Sequence, residues 1–185
     1  IPQTLVSGNM RRLKNFMDEL GGEMIVKPLD GAGGSGVFYL NRQDRNTNAI
    51  LEAATDNGRR LIMGQRYLPE IRQGDKRIIV LDGAPLGAVL RVPLETETRG
   101  NIHVGGQCVK TEVTARDQEI CAALAPLLKS DGLYFVGLDV IGSYLTEVNV
   151  TSPTGIQEVN ALDGVRLERQ VIDFVEQHVE RLARA

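Results

Sequence analysis

The dipeptide Asp82-Gly83, set between the apolar runs 76–81 and 85–92, is the strongest constraint on how this chain can fold. A two-residue loop of this composition accepts the positive φ angles of a tight hairpin turn, so the two runs are predicted to pair as antiparallel neighbours. A second strand–turn–strand pattern spans 134–141 and 144–150, with Gly142 and Ser143 as its turn. Shorter strands are predicted at 24–26, 37–40 and 61–66. Helical spacing appears over 9–20, where Met10, Leu13, Phe16, Met17 and Leu20 share one face before Gly21-Gly22. Further helices are predicted over 46–56, closed by Gly58, and over 115–129 behind the N-cap Thr114, with Ile120, Leu124, Leu127 and Leu128 inward. A last helix over about 165–182 would turn Val171, Phe174, Val175 and Leu182 inward. Segment 68–74 reads as a loop, and 93–106, polar and without periodicity, as a long mobile one. Hairpins mixed with helices, without regular βαβ alternation, predict an α+β fold with much antiparallel sheet.

At 185 residues the chain can build one good core or two small lobes. Its net charge of −3 gives no electrostatic case for binding nucleic acid or an anionic membrane. No segment has the apolar length of a membrane span, and the N-terminus lacks a signal-peptide pattern, so a cytoplasmic location is expected. Cys108 and Cys121 are too few for a disulfide framework and lack metal-ligand spacing. With only His103 and His178 present, no Ser/His/Asp arrangement can be defended. Ile1-Pro2 reads as an entry from an upstream segment, as in an excised domain.

The chemistry concentrates in the second hairpin. If that hairpin is centred near Ser143, Asp139 lies opposite Glu147, and Asn149 shares the face of Glu147 two residues away. The opposite face would hold Val140, Thr146, Val148 and Val150. Two carboxylates and an amide on one rigid face form a hard oxygen site of the kind that holds Mg²⁺ beside phosphates, or else a plain solvated polar face.

Upstream, the glycines at 31, 33, 34 and 36 contain a formal G-x-G-x-x-G. A dinucleotide site needs such glycines to open a helix, and here an apolar, β-prone run follows them. They are expected to cap a strand–loop–strand hairpin in which backbone N–H groups approach an anion, with Lys27 in reach, or to form a simple glycine turn. The same argument speaks against a nicotinamide-binding oxidoreductase. Gln65, Tyr67 and Leu68 leave a strand and could offer main-chain groups to a purine, with Asp75 placed for ribose hydroxyls; a plain strand end is the alternative. Arg77 and Arg91 lie on paired strands and suit carboxylates or phosphates through bidentate contacts. Arg99 lies in the long loop, where it could act as a clamp; the alternative for each of these three arginines is a solvated surface charge. Ser152 and Thr154 follow the acidic strand with hydroxyls suited to a small carboxylate, or merely form a turn.

The tracts KPLDGAGGSGVF, QRYLPEIRQGDKRIIV, ETRGN and VGLDVIGSYLTEVNVTSPTG occur in this order. Together they resemble the ATP-grasp domain of bacterial glutathione synthetases, over essentially the whole chain. The resemblance implies an ATP-grasp fold, α+β, with two lobes whose largely antiparallel sheets clasp a nucleotide. The smaller lobe would cover about 8–75 and the larger about 76–185. It implies an ATP-dependent ligase that joins γ-glutamylcysteine to glycine through an acylphosphate, with Mg²⁺ or Mn²⁺ as cofactor. ATP would be held by Lys27, Gly33, Gly34, Gln65, Tyr67, Leu68 and Asp75. Arg77, Arg91 and Arg99 would be catalytic. Substrates would meet Arg91, Arg99, Asn101, Ser152 and Thr154, and the metal Asp139, Glu147 and Asn149. The family carries a further N-terminal domain with another ATP-binding lysine, often forms homo-oligomers, and has a basic residue where this chain has Gln107. Other readings are an ATP-grasp ligase for a different acid and amine, and a nucleotide-binding fragment that is inactive without the N-terminal domain.

Overall fold

The structure, a computed structural model, describes residues 1–30, 33–94 and 107–184. The chain divides into two compact units, Ile1–Arg72 and Gln73–Val92 with the chain from Gln107 onward.

In the first unit β1 (Thr4–Ser7), β2 (Glu23–Pro28), β3 (Phe38–Asn41) and β4 (Ile62–Arg66) form an antiparallel sheet in the order β1-β4-β2-β3. Helices α1 (Met10–Glu19) and α2 (Thr47–Thr55) cover one face. The helix α1 begins because Asn9 accepts the Arg12 N–H at 3.1 Å, and it stops where Gly21 and Gly22 turn to positive φ. Alternation along the strands sends Met24, Val26, Leu40 and Ile62 into a core with Leu13, Met17 and Leu51. Lys27, Ile25, Tyr39, Met63 and Gln65 therefore belong to the other face.

In the second unit β5 (Asp75–Leu81), β6 (Ala84–Val92), β7 (Gln107–Lys110), β8 (Phe135–Ile141) and β9 (Tyr144–Asn149) form an antiparallel sheet in the order β7-β6-β5-β8-β9. Helix α3 (Ala115–Ser130) packs Ile120, Cys121 and Leu128 on Ile78, Val80, Ala88, Val136, Leu138 and Val140. Its start is a complete capping box: Thr114 accepts the Asp117 N–H, and Asp117 accepts the Thr114 N–H. Helices α4 (Ile156–Asp163) and α5 (Leu167–Arg184) follow, and Val159 and Leu167 pack on Val89 from the opposite face.

Several expectations are corrected. Strands β1 and β7 and helix α4 carry no strong periodic signal and are additional to the predicted elements. Segment 68–74 contains a 3-10 turn, Pro69–Gln73. Leu127 is 59% exposed, whereas Ile120, Cys121 and Leu128 are buried on the inward face of α3. In α5 Phe174 turns inward onto Tyr134 as expected, joined by His178 and by the buried Leu167 at the helix start, whereas Val175 and Leu182 face solvent. The apolar arc of α5 is wider than the part that the unit covers. The segment expected to be a mobile loop lies, from residue 95 to 106, outside the described residues.

Candidate functional site

The alternation that buries Ile78 and Val80 under α3 places Asp75, Arg77 and Ile79 on the opposite face of β5. Register does the rest. Asp75 pairs with Arg91 of β6, Arg77 with Asp139 of β8, Asp139 with Glu147 of β9, and Gly137 with Asn149. Asp75, Arg77, Arg91, Asp139, Glu147 and Asn149 are thereby gathered on one sheet face.

The predicted pairing of Asp139 with Glu147 occurs, but by a different route. The hairpin is centred between Gly142 and Ser143, with Ile141 opposite Tyr144 and Val140 opposite Leu145. A bulge then shifts the register between Val140 and Asp139 and leaves Thr146 as the extra residue, its hydroxyl donating to the Asp139 carbonyl at 3.0 Å. The bulge lets Leu145 pack on the core under α3 while Glu147, two residues on, joins the acidic face. A regular strand would have put both on the same side.

Arg77 and Arg91 are buried, not surface cations. Arg77 donates Nε to Asp139 Oδ1 at 2.5 Å and Nη2 to Oδ2 at 3.0 Å, a bidentate fork. Its Nη1 donates to the Thr154 carbonyl at 2.8 Å. Arg91 Nη2 donates to Asp75 Oδ2 at 2.5 Å and lies 3.0 Å from Asp139 Oδ1. Burial alone would raise the Asp139 pKa; hydrogen bonds from Arg77 and the charge of Arg91 offset it and hold the carboxyl below its ordinary range. Asp75 goes the other way. Burial, and then the charge of Asp139, push it up to about 7 against the pull of Arg91. Asp75 Oδ1 is buried with no hydrogen-bond partner among the described residues, leaving an acceptor for a hydroxyl.

The oxygen donors here suit a hard divalent cation. Among the described residues no three His, Cys, Asp or Glu side chains cluster to hold a metal, so a metal set would depend on the Asn149 amide. Asp139 already faces four N–H donors, from Arg77 twice, Arg91 and Asn149 Nδ2. That matches the lone-pair capacity of a carboxylate. The Asn149 contact, at 3.2 Å, is the longest of them and the one a cation would replace. Glu147 is exposed on the same face. With that exchange, the residues fit a Mg²⁺-like ion.

Ser152, at the exposed turn after β9, has φ +46, a left-handed conformation that L side chains adopt with strain. Thr154 is also exposed, and its carbonyl points inward to Arg77. Glycines 137 and 155, missed as site residues, make room for this turn. A Cβ on Gly137 would stand 2.8 Å from Pro153 Cβ, and one on Gly155 3.1 Å from Arg77 Cγ. A glycine inside the apolar strand FVGLDV was the available signal of such a close approach.

In the first unit the glycine loop joins β2 to β3 as a hairpin and does not open a helix. Gly33 and Gly34 have φ +69 and +76, and Lys27 is half-buried on β2 before the loop. Gln65 sits in β4, which is paired on both sides; its side-chain amide donates to Thr4 Oγ1 at 2.9 Å. Tyr67 leaves the strand and packs its ring on Tyr39 at 4.7 Å, and Leu68 is buried. Arg99 and Asn101 lie outside the described residues.

Residues 1–164 match the family described as prokaryotic glutathione synthetase, ATP-grasp domain. The chain is 55% identical over 175 residues to a glutathione synthetase of Gloeobacter violaceus, covering 95% of this chain and 54% of that protein. It is 47% identical over 176 residues to one of Agrobacterium fabrum, with 95% and 55% covered. The chain thus spans about half the length of the curated relatives it matches. Among solved structures it resembles an ATP-grasp RimK domain protein of Sphaerobacter thermophilus, with a TM-score of 0.66, 18% identity, and 94% and 61% covered. It also resembles a D-alanine–D-alanine ligase of Bacillus anthracis, with a TM-score of 0.59, 16% identity, and 93% and 57% covered. The fold is therefore ATP-grasp, and the chain belongs to the prokaryotic glutathione synthetase ATP-grasp domain family.

Proposed function

We propose that this chain is the ATP-grasp part of an ATP-dependent ligase joining γ-glutamylcysteine to glycine. The observation that carries the reading is its close kinship, over 95% of its length, with proteins named glutathione synthetase. The cluster of acids and arginines on one sheet face supports it. The cysteine carboxylate of the dipeptide would attack the γ-phosphorus of ATP, releasing ADP and forming an acylphosphate. The glycine amine would then displace phosphate and leave an amide.

Such chemistry asks the protein for positioning and charge neutralisation more than covalent help. Lys27 and the backbone N–H groups at Gly33 and Gly34 would bind phosphate oxygens. Main-chain groups at Gln65, Tyr67 and Leu68 would hold the adenine. Asp75, whose Oδ1 lacks a partner among the described residues, would accept from a ribose hydroxyl. Arg99 would neutralise charge on the transferring group, and Arg91, buried between Asp75 and Asp139, would add positive charge beneath it. Asn101, Ser152 and Thr154 would hold substrate carboxylates. Glu147, Asn149 and Asp139 would hold Mg²⁺ or Mn²⁺, which when bound neutralises phosphate charge.

The test is ADP release by the purified chain with Mg-ATP, γ-glutamylcysteine and glycine, omitting each in turn. Release that needs both γ-glutamylcysteine and glycine is the expected result. Mg²⁺-dependent ATP binding without release would mean a correct nucleotide site in a chain that does not complete the reaction by itself. A folded chain that binds no ATP would overturn the reading.

A further inference from the structure

We infer that Arg77 is a positioning residue that fixes the substrate-binding turn 152–155 to Asp139, rather than a group that touches substrate. The inference rests on the functional reading above. Arg77 is only 6% exposed, and each of its three nitrogens already donates a hydrogen bond inside the protein. Two of those bonds form a fork on Asp139, which turns the Nε and Nη2 edge of the guanidinium into the protein and away from any phosphate.

The third bond shapes the turn. A trans peptide holds its N–H opposite its C=O. Drawing the Thr154 carbonyl onto Arg77 Nη1 therefore points the Gly155 N–H away from the guanidinium. Arg77 thus sets the orientation of this peptide group and, through it, of the flanking hydroxyls of Ser152 and Thr154. Seating depends on two missing side chains. A Cβ on Gly137 would meet Pro153 Cβ at 2.8 Å and Arg77 Cδ at 3.2 Å; one on Gly155 would meet Arg77 Cγ at 3.1 Å and Ile79 Cδ1 at 3.2 Å. Gly155 also has φ +128, open only to glycine without strain. The arginine stem, the two glycines and Pro153 thus form one seat for the turn. The forked contact also joins that turn to strand β8, so the substrate turn and Asp139 share one anchor.

The experiment compares Arg77→Lys, Gly155→Ala and their double variant in the natural gene product, measuring kcat, the KM values for all three substrates, and the thermal midpoint. Lysine keeps the charge but cannot bridge Asp139 and Thr154 together. The expected result is a rise of about tenfold or more in KM for glycine or for the dipeptide, with KM for ATP within about twofold. The double variant should be little worse than either single one, because both disturb the same seat. A fall in kcat at unchanged KM, or fully additive effects, would overturn the inference. If the wild type shows no turnover dependent on glycine, the functional reading fails instead. Hydrogen exchange then decides the inference separately: the amides of Ser152, Thr154 and Gly155 should exchange faster in Arg77→Lys, and unchanged rates would refute it.

Discussion

Replacing Asp117 tests how the second unit holds α3 on the sheet that carries the candidate site. The Asp117 carboxylate is buried and makes three contacts through Oδ2. It accepts the Thr114 N–H at 2.8 Å, the Thr114 hydroxyl at 2.8 Å and Lys76 Nζ at 2.7 Å. In Asp117→Ala the Thr114 N–H loses its partner, for about 1 kcal/mol as in the loss of a cap. Lys76 keeps the Glu112 carbonyl at 3.1 Å but loses its counter-charge in a site where it is 15% exposed. Losing a hydrogen bond between charged groups there adds about 1.5–3 kcal/mol. The sum, about 3 kcal/mol, also matches the low end for breaking a buried ion pair. Asp117→Asn, which keeps one acceptor, should lose less.

The effect has a defined pH dependence. Burial would raise the Asp117 pKa, yet the hydrogen bonds from Lys76 and Thr114 offset it and hold the group below its ordinary value. A depressed folded pKa means that the unfolded chain binds the proton more readily. The contribution is therefore complete above the unfolded value of about 3.9 and is lost as pH falls through the lower folded value. Urea unfolding at neutral pH should show the full deficit in Asp117→Ala, and the deficit should narrow as the solution is acidified below the unfolded pKa. A deficit below about 1 kcal/mol at neutral pH, or one independent of pH, would refute this account of the contact.

Two further predictions concern the site itself. Ser152→Gly should raise stability by about 0.5–1 kcal/mol, since it removes left-handed strain at φ +46 and gives back part of the gain as backbone entropy. It should also raise a substrate KM, since it removes a hydroxyl; a loss of stability in thermal unfolding would contradict the strain argument. Glu147→Ala should abolish Mg²⁺-dependent turnover while leaving the fold intact, because Glu147 is exposed and outside both cores. Near-normal turnover in that variant would remove Glu147 from the metal set.

Much of the second unit could be read before its structure was known, because its two hairpins announce themselves chemically. Asp82 and Gly83 both take positive φ, +48 and +76, as the turn signal requires. Period-two alternation from Asp75 to Leu81 then separates the core face from the face of Asp75 and Arg77. What stayed hidden depends on partners distant in sequence. Strand β7 is four residues long and exists through its pairing with β6, and β1 likewise through β4. Neither has enough apolar residues to stand out alone. Helix α4 starts at Gly155 without a side-chain cap, so it lacks the usual opening mark. The bulge at Thr146 was hidden for a related reason. Leu145 and Glu147 are apolar and acidic two positions apart, a local conflict with a regular strand, but only the core under α3 decides which of them turns inward. The same limit applies to the arginines. Adjacent-strand spacing shows that Arg77 and Arg91 can meet, yet only the register places Asp139 beside both and converts two candidate surface cations into a buried, shared anchor. Charge patterning along one strand therefore locates such a candidate site, and the pairing of distant strands determines which of its members are buried and which stay accessible.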